Sequence, residues 1–392
     1  MKPVKERYAT LAVFLANGFG IGAWAVEVPR IKESLALSDA ALGIALFAFA
    51  LGAIVAMPLA GRLAPRFGSG RVTALLGVLF VIALPLPAFA PGFASLCAVL
   101  LMLGAANGAL DVSMNGHASA IEAHWPSPIM SSFHAAWSAG GLLGAASGAM
   151  IQRAGFGVEG GLLLPDALIA LLIVGAALLA LRDVGPRAAH KPDEAGGSGA
   201  FAWPSAAVMK LAGLAFLCMM VEGAVADWSA VFLRSQLDGD ASIAALGYSS
   251  FALSMAACRI VGDLSVRRFG SNRVVALGGA IAATGLALVL LWPNVVTACA
   301  GFALVGVGLA NVVPVIFSAA GRSTPTPAVG VSMAATAGYA GFLIGPPLIG
   351  FGAGLVGLRA ALCVLAIAAL VVCVVGGRAV GQVRGKQAAV VN

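Results

Sequence analysis

Charge is scarce in this chain. Only 10% of its residues are Asp, Glu, Lys or Arg and 60% are hydrophobic, where a soluble domain carries roughly 25% charged residues. That deficit excludes an ordinary water-soluble fold. The short alternating strands of about ten residues that a membrane β-barrel requires are also missing; the apolar residues come in continuous runs. The six cysteines, Cys97, Cys218, Cys258, Cys299, Cys363 and Cys373, lie singly inside those runs. With no CxxC and no Cys/His cluster, neither a disulfide framework nor a zinc site is indicated. There is no GxxxxGK[ST] phosphate loop, no GxSxG elbow, no histidine-rich cluster and no soluble domain, so the sequence points to neither an enzyme, an ATPase nor a bound cofactor. A cleavable signal peptide is lacking too. Lys2, Lys5 and Arg7 precede an apolar run too long for a signal h-region, which reads as a retained first span.

What is abundant is glycine, 51 residues of 392, nearly twice the usual share of about 7%. On an apolar chain this suits helices packed backbone to backbone in lipid. The runs divide into twelve spans, at about 8–29, 40–61, 72–90, 93–116, 130–152, 160–181, 207–233, 243–263, 274–292, 295–319, 328–354 and 357–377. Between the sixth and seventh lies a polar stretch with Pro186, Lys191, Asp193, Glu194 and Gly196-Gly197-Ser198-Gly199, which reads as a linker. The net charge of +7 is spread over short loops rather than gathered into a nucleic-acid patch. With the N-terminus inside, only Arg30, Lys32, Arg153, Arg234 and Arg359 of the basic residues fall outside, so both termini and the linker are expected in the cytoplasm.

The chain also repeats itself. Arg66-Phe67-Gly68-Ser69-Gly70-Arg71-Val72 returns as Arg268-Phe269-Gly270-Ser271-Asn272-Arg273-Val274, an offset of 268 − 66 = 202. Gly18-x5-Trp24-Ala25-x4-Arg30 lines up with Glu222-x5-Trp228-Ser229-x4-Arg234, and Gly140-x3-Gly144 with Gly341-x3-Gly345. The expected architecture is all-α: an N-terminal six-helix bundle over 1–181, a cytoplasmic linker over 182–206 and a C-terminal six-helix bundle over 207–392, related by pseudosymmetry.

Polar residues inside spans are the candidates for function, because an ionised acid in mid-bilayer costs about 3 kcal/mol. Three acids stand out: Asp111, Glu222 and Asp227. Asn107, Asp111 and Asn115 are spaced by four and form one polar stripe on the fourth span. The stripe suits proton coupling through Asp111 with substrate contact through the two asparagines; the plainer reading is a packing network. His134 enters the fifth span from the same side and would pair with the carboxylate as a proton relay or serve as a structural histidine. Trp137 and Ser138 follow one turn deeper. Glu222 and Asp227 are five residues apart, about 140° around a helix, so at most one faces a central cavity squarely. Trp24 and Trp228 would stack on a flat ligand or belong to an interfacial aromatic belt. Asn17, Asn311 and Tyr339 are further cavity candidates. Arg259 and Asp263, four apart, are read as an intrahelical salt bridge of conformational importance. Pro85, Pro87, Pro314, Pro346 and Pro347 interrupt helices, either for rocking or for packing.

Twelve spans, a cytoplasmic linker and a basic glycine loop after spans two and eight resemble the major facilitator superfamily, whose loop signature is roughly G-x-L-A-D-R-x-G-R-R. Gly61-x-Leu63-Ala64-Pro65-Arg66-Phe67-Gly68, followed by Arg71, keeps most of it, with Pro65 where the family has its acid. The resemblance assigns a conformational role to Gly61, Arg66, Gly68 and Arg71 and to Arg268 and Gly270 of the second copy. There, Gly262-Asp263-Leu264 supplies an acid early in the loop. Gly108-Ala109-Leu110-Asp111-Val112-Ser113-Met114-Asn115 is similar to the fourth helix of the fucose-permease-like branch, where a Glu-x-x-x-Asn stands. Asp111 falls on that glutamate and Asn115 on that asparagine. The branch's acid in span one would fall near Ala25 and is missing, with Glu27 two residues away. Other stretches are similar to an uncharacterised bacterial subgroup of that branch.

The resemblance implies a secondary active transporter in the bacterial inner membrane. It would work by alternating access as a monomer and move a sugar-like or other neutral small molecule by proton symport. An efflux antiporter on the same scaffold and a membrane sensor that has lost transport are the alternatives. The expected partners are the solute, protons and the lipid bilayer, with no nucleic acid, metal or cofactor.

Overall fold

The computed structural model describes residues 3–37, 39–179, 181–184, 205–237, 241–292 and 294–382. Most of the expected linker therefore lies outside the described residues. Within them the chain is helical and contains no strand. The helices are α1 (Val4–Ser34), α2 (Asp39–Phe67), α3 (Ser69–Ala83), α4 (Phe93–Glu122), α5 (Met130–Arg153), α6 (Val158–Leu179), α7 (Ala206–Gln236), α8 (Ala241–Ile260), α9 (Gly262–Phe269), α10 (Ser271–Leu291), α11 (Val295–Leu309), α12 (Val312–Arg322), α13 (Pro327–Val356), α14 (Leu358–Ala361) and α15 (Cys363–Val371).

Among the described residues, ten stretches are long and apolar enough to cross a membrane. The other two of the twelve spans are α5 and α8. Both are diluted by polar residues, Ser131, Ser132, His134, Ser138 and Gln152 in one and Tyr248, Ser249, Ser250 and Ser254 in the other. The protein is an all-α membrane protein of twelve transmembrane spans in two six-helix bundles.

Two compact units result. The first comprises Met1–Pro126, Phe133–Pro204 and Thr324–Met333, the second Ser127–Ser132, Ser205–Ser323 and Ala334–Asn392. Each thus includes a short segment from the other half of the sequence. In the second unit, the Asp263 carboxylate accepts the backbone N–H groups of Ser131 and Ser132 at 2.8 and 3.1 Å, satisfying orphan donors in the first turn of α5. In the first unit, Ser332 Oγ donates to the Met57 carbonyl at 2.9 Å.

Glycine sets the helix spacing. In the first unit, a β-carbon on Gly140 or Gly144 of α5 would overlap the carbonyl oxygen of Leu15 or Phe19 on α1. In the second, Gly341 and Gly345 of α13 meet Phe216 and Met220 of α7 in the same way. Leu15 to Phe216, Phe19 to Met220, Gly140 to Gly341 and Gly144 to Gly345 are each a step of 201 residues. Gly104 against Phe49 (α4 on α2) likewise repeats as Gly306 against Phe251 (α11 on α8), a step of 202. The sequence repeat is therefore a repeat of backbone contacts.

This register corrects one alignment. At a step of 201, Trp228 corresponds to Glu27 and Glu222 to Ile21, so Trp24 and Trp228 do not occupy matching places. A slip of three residues turns a helix by only about 60°, which is why the pattern match looked sound.

Two spans of the second unit are broken. α8 ends at Ile260 and α9 begins at Gly262, so Arg259 and Asp263 are not one regular turn apart as the sequence suggested. α11 and α12 are separated at Ala310–Asn311. Pro314 has no N–H to give the Ala310 carbonyl, and Arg259 Nε donates to that oxygen instead, at 3.2 Å. Asn311 Nδ2 in return donates to the Cys258 carbonyl in the last turn of α8, at 3.1 Å. The two breaks satisfy each other.

Candidate functional site

In the first unit, α1, α4 and α5 bring six of the expected residues together. Trp137 Nε1 donates to Asn17 Oδ1 at 2.9 Å, and Asn17 Nδ2 donates to Asn107 Oδ1 at 2.9 Å. Two turns along α4 from Asn107, Asn115 Nδ2 donates to the Asp111 backbone carbonyl at 2.9 Å and to Asp111 Oδ1 at 3.1 Å. Asn115 Oδ1 lies 3.1 Å from His134 Nε2. The expected histidine–carboxylate pairing therefore takes an indirect form, with the Asn115 amide standing between the two groups. Phe14 closes the cluster on one side, with its ring centroid 5.7 Å from His134 and 5.3 Å from Phe133.

The cluster is deep. Asn17, Asn107 and Asn115 are buried and Asp111 is partly buried. Among the described residues Asp111 has no cationic partner; its carboxylate bonds to the Asn115 amide. Buried amides hydrogen-bonded in series hold one another's orientation. Ser138 lies beside Trp137 on α5 and is partly buried.

The second unit treats its acid differently. Glu222 Oε1 of α7 lies 3.4 Å from an Arg259 guanidinium nitrogen, with the two side chains 16% and 7% exposed. Arg259 thus binds both a carboxylate and a carbonyl, and the Glu222 charge is offset on the spot. Asn311 sits beside it with its Oδ1 sealed and without a partner among the described residues. Asp227 is exposed on α7, as its 140° offset from Glu222 requires. Trp228 turns instead to α13, donating from Nε1 to the Pro346 carbonyl at 3.1 Å. Trp24 is buried in the first unit. Tyr339 packs edge-on to Phe342 along α13, ring centroids 6.3 Å apart.

The repeated loops also differ. Gly68 and Gly270 have φ of 94° and 82°, the left-handed turn that glycine adopts freely. In the first loop Asp183 takes the place of the missing acid at Pro65: its Oδ1 accepts the Gly70 N–H at 3.0 Å, and its Oδ2 lies 3.8 Å from Arg71 Nε. Arg66 and Arg268 are exposed, with Arg268 over the Phe269 ring. Gly61 packs against Ser332 without room for a β-carbon.

Several polar groups escaped the sequence reading. Asp166 on α6 lies in the sixth span and shares its buried face with Leu162, Ile169 and Ile173; its Oδ1 is sealed and unpartnered among the described residues. The signal was present, since it is an acid inside an otherwise apolar run. His117 Nδ1 meets Ser69 Oγ at 2.8 Å, beside a Thr73–Ser113 hydroxyl pair at 2.7 Å. Glu27 is fully buried, paired with Arg30 at 3.0 Å and bonded by Gln152 at 3.2 Å, so it belongs to a structural ion pair within α1 that a hydrogen bond ties to α5. No group of three or more metal-ligating side chains occurs among the described residues.

The family description "Major Facilitator Superfamily" matches residues 10–337. An uncharacterised MFS-type transporter of Yersinia pestis is 35% identical over 370 residues, covering 94% of both chains. Membrane protein MosC of Rhizobium meliloti is 36% identical over 365 residues, covering 92% of this chain and 87% of its own. Among solved structures, FucP in the outward conformation superposes with a TM-score of 0.80 at 16% identity, covering 95% and 97% of the two chains. The human organic anion transporter MFSD10 gives 0.74 at 15% identity, covering 95% and 99%. Those two likenesses speak for the fold, and the long sequence matches speak for descent: the chain belongs to the major facilitator superfamily.

Proposed function

We propose that this transporter couples the movement of a neutral, hydroxyl-rich small molecule, sugar-like in chemistry, to protons, with Asp111 as the coupling carboxyl, Asn107 and Asn115 as substrate contacts and Asn17 as the link between Asn107 and Trp137. The observation that carries the reading is the contrast between the two units. Asp111 is a membrane-embedded carboxyl bonded to an amide and no cation, whereas Glu222 is offset by Arg259. A carboxyl left without a counter-ion changes the charge of its helix when it gains or loses a proton, and a transport cycle can use that change. Glu222 is then a structural member, and Asp227 a secondary candidate on an exposed face. His134 orients Asp111 through Asn115. The loops at Gly68 and Gly270 serve the conformational change, and the cycle is alternating access by a monomer. The membrane is the bacterial inner membrane, with both termini in the cytoplasm.

The test uses purified protein in proteoliposomes and a panel of radiolabelled hexoses and polyols, first selected by thermal shift. Asp111→Asn should abolish accumulation driven by a pH gradient while counterflow exchange persists. Undiminished uphill transport by that variant would falsify the coupling role. The direction of the gradient that drives uptake in everted vesicles separates symport from efflux antiport.

A further inference from the structure

The hydrogen bonds around Asn17 run in one direction, and the indole of Trp137 fixes it. An indole N–H can only donate. The Asn17 atom 2.9 Å from Trp137 Nε1 must therefore be its oxygen. The Asn17 nitrogen is then on the other side, where it donates to Asn107 at 2.9 Å, so the Asn107 atom facing it is also an oxygen. What remains of Asn107 is its amide nitrogen. That nitrogen has no partner among the described residues, and it is not one of the polar atoms the fold seals away from solvent. Two asparagines facing each other without the indole would be free to flip together and present oxygen or nitrogen equally well. The indole removes that freedom. It is itself held in place, because Gly18 of α1 lies against the Trp137 backbone with no room for a β-carbon.

Asp111 is oriented in a similar way. The Asp111 backbone carbonyl can only accept, so the Asn115 atom 2.9 Å from it is nitrogen, and the same nitrogen occupies Asp111 Oδ1. Asp111 Oδ2 has no partner among the described residues. One face of α4 thus carries an open N–H donor at Asn107 and an open carboxyl oxygen at Asp111, one turn or about 6 Å apart along the axis.

We infer that Trp137 is a positioning residue for substrate selection. Through Asn17 it holds Asn107 with its N–H outward, so the site selects a ligand that places an acceptor oxygen against Asn107 and a hydrogen donor against Asp111, as two hydroxyls of one polyol do. This rests on the reading of the same cluster as the transport site. Trp137 does not need to touch the ligand, and Asn17 acts as the link rather than the contact.

Monodeoxyfluoro hexoses probe this polarity, because fluorine accepts weakly but never donates and is close to hydroxyl in size. Wild-type protein should bind at least one ring-position isomer about as well as its parent hexose. Trp137→Phe keeps the ring and loses the donor. Asn17→Asp keeps the acceptor for Trp137 but offers Asn107 a second acceptor, turning the Asn107 oxygen outward. Asn17→Asp should weaken binding of that fluoro isomer by roughly tenfold more than binding of the parent, and Trp137→Phe, which leaves the two orientations equally populated, by about twofold more. Equal effects on parent and fluoro isomer, or no effect, would overturn the inference.

A ligand-free measurement separates this outcome from failure of the transport reading. In protein labelled with ¹⁵N-asparagine, the Asn107 side-chain amide, assigned by its loss in Asn107→Ser, should exchange rapidly with solvent and become protected in Asn17→Asp. If no hexose binds the wild type, the sugar-like reading falls and this exchange result alone decides the wiring. Protection already present in wild type, or unchanged in Asn17→Asp, overturns it.

Discussion

At the scale of single residues, the membrane interior gives each polar group a definite status. Glu222 and Arg259 are both largely buried at 3.4 Å, so each neutralises a charge the other would leave exposed to lipid-like surroundings. Removing one partner of such a pair costs on the order of 3–5 kcal/mol, while replacing both by apolar groups costs far less. Glu222→Leu and Arg259→Met should each lower unfolding stability in detergent by that order, and the double variant by less than either single. Additive losses would mean that the pair is not coupled. Arg259 has a second obligation, the Ala310 carbonyl, so Arg259→Lys, which cannot reproduce the fork of donors, should rescue poorly. The polar stripe Asn107–Asp111–Asn115 was legible in the sequence because a spacing of four needs no tertiary information. That Asn115 would stand between His134 and Asp111 was not legible, since it depends on how α5 meets α4.

At the scale of helices, the span count and the glycine seams were readable and the breaks only in part. Continuous apolar runs fix where helices lie, but α8 with α9 and α11 with α12 each read as one span, because hydropathy does not register a lost turn. Pro314 was one of five prolines expected to interrupt helices, but Pro346 and Pro347 lie inside the unbroken α13, and it was the Arg259 bond to the orphaned carbonyl that marked Pro314 as a break. Pro314→Ala restores an N–H that competes for Ala310. It should straighten the α11–α12 junction and protect the residue-314 amide from hydrogen exchange; an unprotected amide there would show that the break has another cause. Glycine seams give a paired expectation. Gly104→Ala drives a methyl into the Phe49 carbonyl, whereas the space around Gly43 holds nothing within 4 Å. The first should destabilise by about 1–3 kcal/mol. The second should be neutral or stabilise by up to about 1 kcal/mol through helix propensity, as read by thermal unfolding of the two variants side by side.

At the scale of the molecule, the repeat and the chemistry part company. Backbone contacts recur at steps of 201 and 202 residues through both units. The acids do not recur: Asp111 corresponds to Val313 and Glu222 to Ile21. The Asp263 that caps the start of α5 corresponds to Gly61, where Ser332 bonds a carbonyl instead. Scaffold symmetry was visible in the loop peptides, but the register within helices was misread by three residues at Trp24 and Trp228 because one near-turn slip preserves the face. The scarcity of charge, with all but five of the 23 Lys and Arg residues on one side of the expected topology, makes a direct forecast. A reporter that fluoresces only in the cytoplasm should be active when fused after Asn392, and alkaline phosphatase at the same place inactive; the reverse would invert the assigned orientation.

The proline at 314 matters beyond the bond it deletes. α4 runs unbroken for 30 residues, about 45 Å, and should act as a strut that carries a twist at Asp111 on to His117, whose ring meets Ser69 of α3. Its counterpart, jointed at Ala310–Asn311, should act as a coupling that softens torque passing from α11 to α12, with the guanidinium of Arg259 as a tie rod across the joint. On that footing one repeat would transmit a small rotation and the other take up slack.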